Sequence, residues 1–280
     1  MIGDLAASGT ALAWGAADYC GGKATRRVSA PITVAISQLF SLPLLAVALL
    51  LTADGWPGAP AIGWGFVAGL SGGGIGLILL YRALAAGLMS VVAPITGVTA
   101  ASTPLVVGLI SDRPPGALPL VGAGIAVVAI WLVSVSPTSS KIRPSARVFV
   151  LSLAAGVAFG LFLVLIALAG PDAGLWPLVG VRAGSLSTAF TLLILEAGSL
   201  RVAGGAVPWA LGAGALDIAG NVAYLTATYH GVLSVVGPIA SLYPAITVLL
   251  AVFVDRERLR PVQSVALGLA ALALVLTQLG

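Results

Sequence analysis

In the stretch "ALDIAGNVAYL", Asp217, Asn221 and Tyr224 stand at i, i+4 and i+7. On a helix that spacing sets a carboxylate, an amide and a phenol on one face. A guanidinium, Arg182, is embedded in the apolar run "PLVGVRAGSL". Ionisable groups among apolar residues are expensive unless they face a cavity or a partner. Arg182 and Asp217 can therefore form a substrate or proton site, or a structural ion pair that locks two helices together, and both readings satisfy the charges. Trp14 and Asp18 are one helical turn apart in the first apolar stretch. Asp18 lies nearer the following basic loop, so a pairing with Lys23 or an Arg of that loop is the expected role. Trp14 and Phe159, and likewise Tyr81 and Tyr224, are candidates to line a cavity, although a Tyr near a helix end also anchors at a membrane interface. His230, the only histidine, falls in a turn and reads as a solvated residue.

The elements that carry these residues belong in a bilayer. The chain has 280 residues, 59% hydrophobic and 8% charged, whereas a soluble domain needs about 25% charged residues to cover its surface. One cysteine excludes an intrachain disulfide and a Cys-based zinc site, and no metal or other cofactor is expected. No Gly-x-x-x-x-Gly-Lys loop is present to cradle ATP phosphates. The net charge of +4 comes from short clusters between apolar stretches, which fits membrane topology and not nucleic-acid binding. No Lys or Arg precedes the first apolar stretch, so a retained helix is expected there rather than a signal peptide.

Ten stretches are long enough to span a bilayer, which takes about 20 apolar residues each: 5–22, 31–52, 61–81, 88–110, 117–136, 148–170, 174–196, 205–228, 231–254 and 261–279. The fold class is an all-α polytopic membrane protein. With a rise of about 1.5 Å per residue, Arg182 and Asp217 fall near one depth. Residues 1–136 form a first group of five helices, 137–147 a polar linker, and 148–280 a second group. Lys and Arg collect on the cytoplasmic side of short loops. The odd-numbered connections hold eleven of them and the even-numbered ones only Arg113, so both termini are expected outside and the linker in the cytoplasm.

A repeat links the two groups. "GLMSVVAPI" (87–95) and "GVLSVVGPI" (231–239) share six of nine residues. Because five is odd, the second copy must enter the membrane from the opposite side, giving an inverted repeat of the kind secondary transporters use for alternating access. Pro94 and Pro238 occupy equal places in the two copies. A mid-helix proline frees one carbonyl and kinks the helix, so this pair is expected to act as gating hinges, with packing as the plain alternative. Gly65, Gly69 and Gly73, and Gly156 with Gly160, repeat at the spacing that lets helices approach closely.

The motifs Trp14-Gly15, Tyr81-Arg82-Ala83-Leu84, Pro244 and Glu257-Arg258-Leu259 with Gln263 resemble EamA-type members of the drug/metabolite transporter superfamily. The chain looks most like the YddG-type aromatic amino-acid exporters. Asp112-Arg-Pro-Pro stands where the family's first repeat carries its glutamate turn. The resemblance implies ten helices around a central cavity, in the inner (plasma) membrane, exporting small metabolites. The expected cargo is an amino acid with an aromatic or apolar side chain, with proton-coupled efflux of cationic drugs as the alternative. The partners expected are this small molecule and the lipid bilayer, the protein working as a monomer. A membrane-embedded enzyme or a scaffold is the competing class.

Overall fold

The computed structural model describes residues 2–52, 55–110, 145–196, 204–230, 240, 243–256 and 261–278, with single positions between 117 and 132. Among the described residues there are helices and no strands. In chain order they are α1 (Ile2–Thr25), α2 (Ala30–Thr52), α3 (Ala59–Ala86), α4 (Met89–Ile110), α5 (Ala146–Ala167), α6 (Pro177–Leu195), α7 (Val207–His230), α8 (Tyr243–Phe253) and α9 (Pro261–Gln278). α3 contains a π-helical stretch, Gly69–Gly76. Four of these helices, α2, α3, α5 and α6, are long and apolar enough to cross a bilayer by length and composition. The fifth expected stretch is described only at single positions from Ala117 to Leu132, all of them helical. Most of the linker, the second repeat motif and Pro238 lie outside the described residues.

Burial is distributed as a bilayer demands. Leu50, Leu51, Ile194 and Phe253 are more than three-quarters exposed, which is stable only where the surroundings are apolar. The buried set includes Thr10, Thr33, Ser37, Gln38, Arg182, Ser185, Asn221 and Thr247. Hydroxyls in this interior donate to carbonyls of their own helix one turn back, as Thr25 does to Gly21 (2.8 Å) and Thr188 to Gly184 (3.1 Å). Others reach the next helix: Ser71 donates to the Ala158 carbonyl (2.8 Å), and Thr247 to that of Gly15 (3.0 Å). Such bonds and close packing of small residues hold helices together where lipid removes the hydrophobic drive between them.

Eight helices close a ring. α1 packs on α7, α7 on α2, α2 on α6, α6 on α3, α3 on α5, α5 on α4, α4 on α8, and α8 back on α1, while α9 lies against α4. Side-chain contacts fix the directions. Gly9 faces Ala223 and Cys20 faces Gly212, so α1 and α7 are antiparallel. Gly72 meets Phe162 and Gly76 meets Phe159, so α3 and α5 are antiparallel too. Gly65, Gly69 and Gly73 follow Pro177, Val181 and Ser185 along α6, making that pair parallel. Gly87 meets Val148 and Gly156 meets Thr99, so α4 and α5 also run the same way. The α3–α6 seam is glycine on both sides, because Gly180 and Gly184 in turn press on the backbone of Ile62 to Leu70. Gly156 serves α4 in the same manner.

The two ends of the ring differ in chemistry. At one end Lys23 pairs with Asp255 (2.6 Å), Arg26 lies 3.9 Å from the same carboxylate, and the Tyr19 hydroxyl donates to it (3.1 Å). Arg82 joins α3 to Glu196 at the end of α6, and Arg27 donates to the Gly205 carbonyl. The opposite end carries Trp56 against Trp176 (ring centroids 5.2 Å) and the Tyr229 hydroxyl on the Gly174 carbonyl (2.8 Å). His230 ends α7 there, exposed, with Nδ1 2.9 Å from the Thr226 carbonyl.

Candidate functional site in the central cavity

Glycine sets the shape of the cavity inside this ring. At Gly72 an added Cβ would stand 2.5 Å from that of Phe162, and at Gly73 2.7 Å from the Ser185 hydroxyl, so α3 lies directly on α5 and α6. The backbone there is π-helical, a geometry often found at functional sites. The resulting cavity encloses about 610 Å³ free of protein atoms, part of it continuous with the surroundings. Seven helices contribute to its lining. Trp14, Phe159, Phe162 and Tyr243 supply aromatic walls, and Asp18, Arg182, Asp217 and Asn221 supply its polar groups.

Arg182 is 1% exposed, and its Nη1 donates both to Asp217 Oδ2 (2.7 Å) and to Gln38 Oε1. Gln38 Nε2 reaches the same Asp217 oxygen at 3.4 Å, and Ser185 Oγ lies 3.4 Å from Gln38 Oε1. Asn221 Nδ2 donates to the Asp217 carbonyl (2.8 Å). This network ties α2, α6 and α7 together at one level. It leaves Nε and Nη2 of Arg182 without a hydrogen-bond partner among the described residues. Those two atoms form the edge of a guanidinium that accepts a carboxylate in two parallel bonds. The arrangement can hold an anionic group, and it is also the ion pair that fixes the helices.

Asp18 is 8% exposed and lines the same cavity. The expected pairing with Lys23 or an Arg of the next loop does not form: Lys23 reaches past it to Asp255 (2.6 Å), with its ammonium 5.8 Å from the ring centroids of both Tyr19 and Trp209, while Arg26 lies 3.9 Å from Asp255 and Arg27 donates to the Gly205 carbonyl. Among the described residues no hydrogen bond or ion pair reaches the Asp18 carboxylate. A long basic side chain at a helix end finds the interfacial acid more readily than one a turn deeper.

The other expected site residues divide. Trp14, Phe159, Arg182, Asp217 and Asn221 line the cavity. Tyr224 stands behind Trp14, ring centroids 5.4 Å apart. Tyr81 does not line the cavity; it is 1% exposed and packs on Gly21 of α1. Pro94 is buried in α4 and borders a separate apolar crevice with Pro244 and Phe253. Sequence reasoning missed Gln38, Phe162 and Tyr243. Gln38 carried a usable signal, being an amide inside the apolar stretch 31–52. Tyr243 meets Trp14 edge-on at 6.1 Å, a contact between helices far apart in the chain that no local pattern encodes.

Together these features define a polytopic helical membrane protein with a polar site inside its bundle. Residues 1–135 match the EamA-like transporter family. No curated protein matches the sequence. A solved structure described as "Crystal structure of protein" is similar over 98% of this chain and 95% of its own, with a TM-score of 0.68 at 13% identity. At that identity the likeness shows a shared fold.

Proposed function

We propose that this protein is a secondary transporter that exports a small amphipathic metabolite, an amino acid with an aromatic or apolar side chain, by alternating access. The family match over residues 1–135 supports the transporter class. The observation that carries the substrate reading is the cavity itself: both charge signs sit between aromatic walls, with one edge of Arg182 unpaired. A zwitterion needs a partner for each end, and a phosphorylated cargo would need several converging cations to leave water.

Ten spans in two inverted five-helix halves form part of this reading. The α1–α7 contact has its counterpart in α5–α3, the α2–α7 contact in α6–α3, and the α1–α8 contact in α5–α4. These are the pairs obtained by exchanging the halves. α4 and α5 run the same way, which is the relation that two inverted five-helix halves would give them. The described basic residues Lys23, Arg26, Arg27, Arg82 and Arg147 share one end of the bundle, which supports a cytoplasmic assignment for that end and external termini in the inner membrane. Pro94, and Pro238 in the second copy, serve as hinges in this scheme, and a single protomer is the working unit, with no cofactor.

A second reading, proton-coupled efflux of cationic drugs, has the unpaired Asp18 beside Trp14 in its favour. The purified protein in sealed proteoliposomes separates the two. Labelled phenylalanine should cross faster than in empty vesicles, with and without a pH gradient. Movement of organic cations but of no amino acid would replace the main reading by the second. No solute movement at all would favour an enzyme or a scaffold.

A further inference from the structure

We propose that Asp18 is the subsite for a cationic amine, holding the ammonium group of the ligand that enters the central cavity. This rests on the cavity being the substrate site, as argued above, but not on the protein transporting that substrate. The lining charges do not balance. Two carboxylates, Asp18 and Asp217, and one guanidinium, Arg182, are the ionisable acids and bases that border the cavity among the described residues. Asp217 is already engaged, its Oδ2 accepting from both Arg182 and Gln38. Lys23 and Arg26, the bases next along α1, are turned to Asp255. One buried carboxylate is left over, and a buried charge persists only with a partner. Among the described residues no base is left to pair with it, and an ammonium group brought in by a ligand would supply that partner.

The surroundings of Asp18 select what carries that charge. Trp14 lies one turn away on α1, and Tyr243 meets it edge-on, both rings lining the cavity. Aromatic faces beside a carboxylate favour an alkylammonium, which gains cation–π attraction as well as the ion pair. Phe159 and Phe162 continue the wall for an apolar body. Arg182, with Nε and Nη2 unpaired, provides the complementary end for ligands that also carry a carboxylate.

Equilibrium binding to the purified full-length protein in nanodiscs tests the assignment with three probes that share one aromatic body. Phenethylamine carries the amine alone, L-phenylalanine adds a carboxylate, and 2-phenylethanol carries no charge. Wild type should bind phenethylamine about ten- to a hundredfold more tightly than 2-phenylethanol, the range expected for a charged hydrogen bond. Asp18→Asn should lose that preference while still binding 2-phenylethanol as wild type does, which also shows that the cavity remains folded. Asp18→Glu should restore most of it. Equal affinity of wild type for phenethylamine and 2-phenylethanol, an unchanged preference in Asp18→Asn, or no binding of any probe to wild type would each overturn the assignment. Amine binding without vesicle transport would sink the transport reading and leave the subsite standing.

Discussion

Replacing Arg182 by Met removes the one basic group that lines the cavity among the described residues and leaves two carboxylates facing an apolar bundle. The Arg182–Asp217 contact is 2.7 Å, so at an effective dielectric of about 20 the attraction lost is roughly 6 kcal/mol. Part of this offsets the desolvation that the pair already bears, and breaking a buried pair by removing one partner costs about 3–5 kcal/mol net. At about 2–4 °C per kcal/mol for a chain of this size, Arg182→Met should melt roughly 6–20 °C below wild type. The double variant Arg182→Met with Asp217→Leu behaves differently. Both charges leave together, and apolar side chains of similar size fill the gap, so it should recover most of the loss. The assay is thermal unfolding followed by tryptophan fluorescence in one detergent at one scan rate, because such proteins often unfold irreversibly. Arg182→Met melting with wild type, or the double variant melting below the single one, would refute the charge argument.

Two further outcomes follow from the backbone. A Cβ at Gly184 would stand 2.6 Å from the Leu70 nitrogen and closer still to the Phe66 carbonyl, while one at Gly63 meets nothing within 4 Å. Gly184→Ala should therefore destabilise by about 1–3 kcal/mol through overpacking, with Gly63→Ala neutral or slightly stabilising; equal melting temperatures would show that the α3–α6 seam is not tight. Pro94→Ala returns a donor to the Ser90 carbonyl and straightens α4, so vesicle transport should slow while the melting temperature holds, and a wild-type rate would reduce Pro94 to a packing residue.

How much was legible beforehand depended on whether the signal was local. Eight of the expected apolar stretches coincide with described helices to within a few residues, and a ninth, 231–254, contains α8, its expected start falling among residues not described, because bilayer thickness and turn residues act on neighbouring positions. Asp217 and Asn221, which line the cavity, are conspicuous for the same reason, since a polar face at helical spacing stands out in an apolar run. Asp18 is visible as an intramembrane acid, yet the sequence offers it only its near neighbours, Lys23 or an Arg of the next loop, as partners. The side chain that captures Lys23 is Asp255, more than 230 positions away. Tyr81 shows the converse: a tyrosine at a helix end looked like a cavity or interface residue, but Gly21 leaves room for its ring, which is buried between α1 and α3. Pairing between helices is decided by which surfaces lack a side chain, and glycines carry that information only when both faces of a contact are known. The acid freed by the Lys23–Asp255 pair is the group that leaves the cavity's charge unbalanced. The candidate ligand chemistry therefore depends on one long-range contact made outside the cavity.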